Sequence, residues 1–237
     1  MIRVEKLLYR LDQKLNKVAS ETHQAIPIED KILALQEAQM RLIKKKVNLN
    51  NLYKLGLDGS KVRYEDLQIL VVPYEKLIPS LSQEPITAYE ATIPEEYYLP
   101  IDIILSCSKK GCTKHRVDIK RIVKHGDVTT WVNNPHYTPS FAYQETFAAI
   151  SNNKIICYTN DDFTIEEMRV SYLRYPAKID FEGYITLDNQ PSQTVNCELP
   201  EYLEDELLEL AVMELGFDTE NNNAAQAASQ KSLNSES

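Results

Sequence analysis

Cys107, Cys112 and His115 stand at a spacing that could begin a metal site, with His125 further along. Zinc takes four deprotonated nitrogen or sulfur ligands in a tetrahedron, and Cys-x4-Cys supplies two. The remaining ligands would be one near and one distant histidine, a weaker pattern than two paired short spacings. The insert Lys109-Lys110-Gly111 also reads as a hairpin tip, with ordinary strand-end thiols on either side. Nucleophilic catalysis needs a Ser or Cys, a His base and an orienting acid. The histidines (His23, His115, His125, His136) suggest no such triad, and no Gly-x-Ser-x-Gly occurs. Carboxylates crowd residues 198–214, but they sit on one helix, where a solvated face is the simpler reading than an acid/base pair. Neither Gly-x-Gly-x-x-Gly nor a Gly-Lys-Ser/Thr loop is found, and only 6 glycines occur. No catalytic residue and no cofactor is expected. A zinc-dependent or DNA-processing enzyme remains the rival reading.

Charge is uneven along the 237 residues. Between Cys107 and His125 lie Lys109, Lys110, Lys114, Arg116, Lys120, Arg121 and Lys124, against Asp118 alone. Between Glu198 and Glu220 there are nine acids and no base. Such blocks are two solvated faces, or surfaces that pair between neighbouring subunits. The second option makes Lys109, Lys110 and Lys114 interface candidates, with Glu201, Glu204 and Asp205 opposite. The net charge of −9 argues against bulk attraction to nucleic acid or an anionic membrane. The 14 tyrosines suit either strands or half-wet interfaces. No run approaches the roughly 18 apolar residues of a membrane span. With Met1–Glu5 leading directly into a helix, reduced thiols in a cytosolic setting are expected.

These residues need elements to position them. Val4, Leu7, Leu8, Leu11, Leu15 and Val18 recur at helical spacing over 2–19. A second helix is expected over 28–47, with Glu29 and Asp30 in its first turn and Lys44-Lys45-Lys46 at its end. Val62–Leu70 could be a short helix. Residues 84–100 are rich in proline and read as a connection or edge strands. Alternating patterns predict strands at Ile101–Cys107, Arg116–Val123, Lys154–Thr159, Glu167–Tyr175 and Gly183–Leu187, with a turn at Asn152-Asn153. Trp131–Ser140 reads as an aromatic, proline-rich loop. A last helix over 199–215 opens with Pro200 at its first position and stops at Gly216. The polar tail 217–237 is an arm that a partner would hold, with Phe217, Asn221 and Ser232 as contact candidates.

The fold class expected is α+β. Helices at 1–75 and 199–216 form a small bundle, and a mostly antiparallel β domain at 76–198 is inserted between them.

Several segments carry a resemblance: Arg121–Asp127, Asn133–Ser140, Asn153–Ile155, Tyr172–Asp180, and Cys197–Glu201 with its helix. The chain resembles head–tail connector or tail ring proteins of crAss-like bacteriophages, best over about 110–215. The resemblance implies a virion protein of the tail or connector, made in the bacterial host cytoplasm. It implies rings of twelve copies, contact with the portal protein and with neighbouring tail ring proteins, and phage DNA passing through the lumen without specific recognition. It also implies that 217–237 reaches along the portal. A head-decorating or tail-hub protein is the alternative within the virion. Closed rings need two different faces of each subunit to meet, which the basic and acidic blocks would suit.

Overall fold

The computed structural model describes residues 1–18, 26–47, 65–82, 86–185 and 189–218, and at 16–18 and 216–218 it describes backbone alone. The architecture is α+β, with terminal helices packed together and a mostly antiparallel sheet inserted between them. Two compact units divide the chain: Leu70–Tyr175, and Met1–Ile69 joined to Pro176–Ser237. The sheet unit thus ends well before the residue 198 expected from sequence. Backbone bonding explains the difference. Asp180 pairs with Val195, and Cys197 pairs with Ile2, so 176–198 bonds to itself and to the N-terminus.

The helical unit contains α1 (Val4–Val18), α2 (Ile28–Val47) and a C-terminal helix, α4 (Glu204–Asp218). Val4, Leu7, Leu11 and Leu15 bury one stripe of α1, and Ile32, Leu35, Leu42 and Ile43 bury one of α2. Each such side chain adds about 1.5–3 kcal/mol relative to exposure. The last helix packs against both, and Leu207, Leu208, Leu210, Ala211, Val212, Met213 and Leu215 are all buried. A helix apolar around so much of its girth belongs inside a bundle. Asn196 accepts a hydrogen bond at Oδ1 from the Val4 backbone N–H (3.0 Å), capping α1 from a segment distant in sequence. Pro200 precedes a 3-10 turn, Glu201–Leu203, rather than opening α4 itself. Gly216 does not stop that helix, which continues to Asp218. Val62–Leu70 yields helical geometry at Glu65 and Asp66, then a 3-10 turn at Gln68–Leu70. Of the strand expected at Gly183–Leu187, Thr186 and Leu187 lie outside the described residues, and Gly183–Ile185 forms none: Ile185 makes a single bridge to Pro191 and is 73% exposed. Among the described residues no helix is long and apolar enough to cross a membrane.

The sheet unit has eight strands: β1 (Val71–Leu77), β2 (Ser80–Ser82), β3 (Ala88–Thr92), β4 (Tyr97–Ser108), β5 (His115–Val123), β6 (Glu145–Ser151), β7 (Lys154–Tyr158) and β8 (Thr164–Arg174). Their spatial order is β1-β8-β4-β5-β6-β7-β3-β2. All pairs are antiparallel except β5 with β6. That parallel pair needs a crossover, which 124–144 supplies, including α3 (Val128–Val132). Trp131 therefore sits in a short helix, not in a loop. Asn152 and Asn153, both at positive φ, turn β6 into β7, as the sequence predicts.

The strand order has a geometric consequence. Strands β1 and β2 lie at opposite edges, yet only Ile78 and Pro79 separate them. Three Cα steps span at most about 11 Å. The sheet must curl until its two edges meet at that corner. Its concave side forms one apolar core containing Leu77, Ile103, Leu105, Val117, Ile155 and Met168. On the other side, Phe147, Ala149, Val123 and Tyr158 form a second cluster, covered by Val128 and Trp131 of α3. The free edge of β1 is blunted. Pro73 has no N–H to offer, and Tyr74 (φ 47°) sits in a bulge between Val72 and Glu75.

Candidate assembly surface

The cysteine–histidine set does not converge. Cys107 points into the concave core and is fully buried, and burial, followed by the charge of Glu166, pushes its thiol up to about 12. Cys112 is exposed near the tip of the β4–β5 hairpin, where Gly111 takes φ 83°. His115 is exposed and lays its ring against Phe141 at 5.4 Å. Among the described residues no three His, Cys, Asp or Glu side chains gather where a metal ion could be held. The alternation of β4 sends Cys107 inward, while the hairpin carries Cys112 away from it.

The acidic block is largely matched within the chain, and the basic block only in part. In the sheet unit Lys109 bonds Asp162, and Lys114 bonds Glu166. Lys110 and Arg116 have no ion-pair partner among the described residues, while Lys120 approaches Glu145 only at 3.9 Å. In the helical unit the acids of α4 face cations of α1 and α2. Glu204, almost wholly buried, accepts from Lys6 (2.6 Å) and Arg10 (2.7 Å). Asp205 also bonds Arg10 at 2.7 Å, and Glu206 lies 3.2 Å from Lys45 and 3.1 Å from Lys46. Glu209 meets Lys14 at 3.8 Å, and Glu214 bonds Arg41. Burial alone would push Glu204 up, but the bonds from Lys6 and Arg10 outweigh it and hold its pKa below the usual carboxylate value. Glu204 is thus engaged within the subunit. Glu201 is exposed and has no ion-pair partner among the described residues, and Asp205 is exposed though bonded.

Two surface features stand apart from this pairing. Beside Glu201, the Tyr202 side chain is 66% exposed, and its hydroxyl donates to Asp66 (2.6 Å), itself buried and bonded to Lys46 (3.1 Å). That hydrogen bond, burial and the negative charge of Asp66 and Glu65 push the Tyr202 hydroxyl up to about 12. The second feature is a pocket of about 240 Å³ in the sheet unit, lined by Lys120, Arg121, Trp131, His136, Tyr137 and Glu145 among others. The Arg121 guanidinium lies 5.4 Å from the centre of the Trp131 ring, in cation–π range. The Trp131 ring lies 4.5 Å from that of Tyr137, tilted by 34°, and 5.8 Å from that of Phe147. Phe217 is described by its backbone only, while Asn221 and Ser232 lie outside the described residues.

The chain is similar to ring protein 4/5 of Bacteroides phage crAss001. The two are 25% identical over 222 residues, which cover 89% of this chain and 91% of that ring protein. No protein-family model matches the chain. The likeness to the ring protein spans the helical and sheet units alike, so it concerns the whole fold and not one motif. Lys109, Lys110 and Lys114 stand out in the sequence because they are basic, whereas the sharing of one pocket by Arg121, Trp131 and Tyr137 does not show there. The signal available for that pocket was Arg121, Trp131 and Tyr137 within 17 residues, unreadable until the β5–β6 crossover brings them together.

Proposed function

We propose that this chain is a non-enzymatic structural subunit of a tailed-phage virion that assembles with copies of itself into a ring. The observation that carries this reading is the near end-to-end similarity to a protein named as a ring protein. The finer proposal places the ring in the head–tail connector, where it joins the portal to the tail, with twelve copies around a channel for DNA. The tail 217–237 is proposed as the arm that grips a neighbour. A fold stiffened by two packed cores and by ion pairs that tie α4 to α1 and α2 suits a load-transmitting part. The blunted edge of β1 favours assembly through side-chain surfaces over strand addition there.

The test is electron microscopy and native mass spectrometry of the purified chain, alone and mixed with portal and tail ring proteins of the same phage. Closed rings, alone or on a partner, are expected, and the protein is expected in purified particles. A chain that stays monomeric in every mixture, or is missing from mature particles, overturns the proposal.

A further inference from the structure

The Trp131 pocket is smaller than the roughly 300–1,000 Å³ typical of small-molecule sites. It has room for one aromatic side chain and a neighbouring carboxylate. Its walls are aromatic, from Trp131 and Tyr137, and its charge is an excess of cations. Lys120 and Arg121 stand against Glu145 alone, with His136 at the rim. Arg121 makes no ion pair among the described residues, so its charge is open to a partner beyond Trp131. Such a surface suits an acidic knob carrying an exposed ring.

The chain itself carries one. Tyr202 projects between Glu201 and the Glu65–Asp66 turn, and both Glu65 and Glu201 are exposed, with no ion-pair partner among the described residues. Its hydroxyl is already bonded to Asp66, so the ring can leave water without stranding a polar group. Buried Tyr, Trp and Arg are the side chains that most often dominate binding at protein interfaces. We propose that the Tyr202 corner of one copy seats in the Trp131–Arg121 pocket of the next, with Glu201 and Glu65 facing Arg121 and Lys120. The contact joins two different patches, as a closing ring requires. It rests on the assembly reading above, and names the residues through which copies meet.

Charge exchange tests it. Arg121→Glu or Glu201→Arg alone is expected to raise the concentration at which rings form by about tenfold, more at low salt. The double variant is expected to recover most of that loss, because the attraction is restored with reversed sign. Far-UV dichroism and urea midpoints check that each variant is folded. A second measurement needs no charge change. In a Cys112→Ser background, Tyr202→Cys and Tyr137→Cys protomers are mixed and oxidised, and a heterodimer band is expected. If Arg121→Glu assembles like the parent and no cross-link forms, the pairing is wrong while the ring reading stands. If the parent itself never assembles, both fall. If Arg121→Glu lowers affinity for single-stranded DNA and leaves assembly unchanged, the pocket is a nucleic-acid surface and the pairing is refuted.

Discussion

Replacing Glu204 with Gln tests the charge linkage that fastens α4 to α1. The carboxylate is buried and takes hydrogen bonds from Lys6 and Arg10, residues nearly 200 positions away. Gln keeps the shape and one acceptor oxygen but removes the charge. Stranding a fully buried ion costs about 3–5 kcal/mol. Here the stranded cations reach water, since the Lys6 side chain is 50% exposed and that of Arg10 34%, so that cost is mostly relieved. What remains is the loss of charge-assisted bonding, worth about 2 kcal/mol. With a urea slope near 2 kcal/mol/M, the helical transition should move down by about 1 M at pH 7. The pH dependence gives a second arm. The folded pKa of Glu204 lies below the ordinary carboxylate value, so its contribution is complete above about pH 4.3 and is lost as pH falls through the folded value. The gap between parent and variant should therefore close in acid. Urea titrations followed by dichroism at 222 nm, at pH 7 and pH 3, measure both. An unshifted midpoint at pH 7, or an equal gap at pH 3, would refute the reasoning.

Other outcomes follow from single features. Cys112 alone should react with a thiol reagent in the folded protein at neutral pH, because Cys107, Cys157 and Cys197 are buried and burial pushes Cys107 up to about 12 and Cys197 up to about 11; a second fast thiol in a mass-spectrometric labelling assay contradicts this. Asn153→Val should cost about 1–2 kcal/mol in denaturant titrations, because a β-branched residue is forced to φ 57°, whereas Asn153→Gly should be near neutral; equal effects would sink the turn argument. Met168→Ala should cost about 2–5 kcal/mol, since its side chain is fully enclosed in the concave core; a loss under about 1 kcal/mol would mean the core is loosely packed. Pro73→Val with Lys76→Val should promote strand-to-strand aggregation, detectable by light scattering, because it removes two edge protections from β1; unchanged scattering would mean another feature guards that edge.

The elements that sequence revealed are those whose periodicity is complete in itself. The stripe Val4, Leu7, Leu11, Leu15 has only one helical reading, and strands β4, β5, β7 and β8 match their patterns within a few residues. The sequence Glu145–Ser151 gave no such signal. It is buried on both faces, with Ala148 in the concave core and Phe147 and Ala149 beneath α3, so its residues do not alternate between apolar and polar. Strand β1 carries Pro73, which an edge position tolerates, and the short strands β2 and β3 lie between prolines that mask their pattern. The acidic run at α4 looks like a solvated face because its partners, Lys6, Arg10, Arg41 and Lys46, stand far away in the chain.

By itself the sequence determined the three long helices, strands β4, β5, β7 and β8, the α+β class and the sites of two turns, since these follow from local backbone preference and from the repeat of apolar side chains. Only the tertiary structure decided how the sheet curls on itself, which charges are already matched, that Arg121, Trp131 and Tyr137 share one pocket, and that Tyr202 is exposed with its hydroxyl bonded to Asp66. Those outcomes depend on contacts between distant residues, and a linear pattern carries no distance between them.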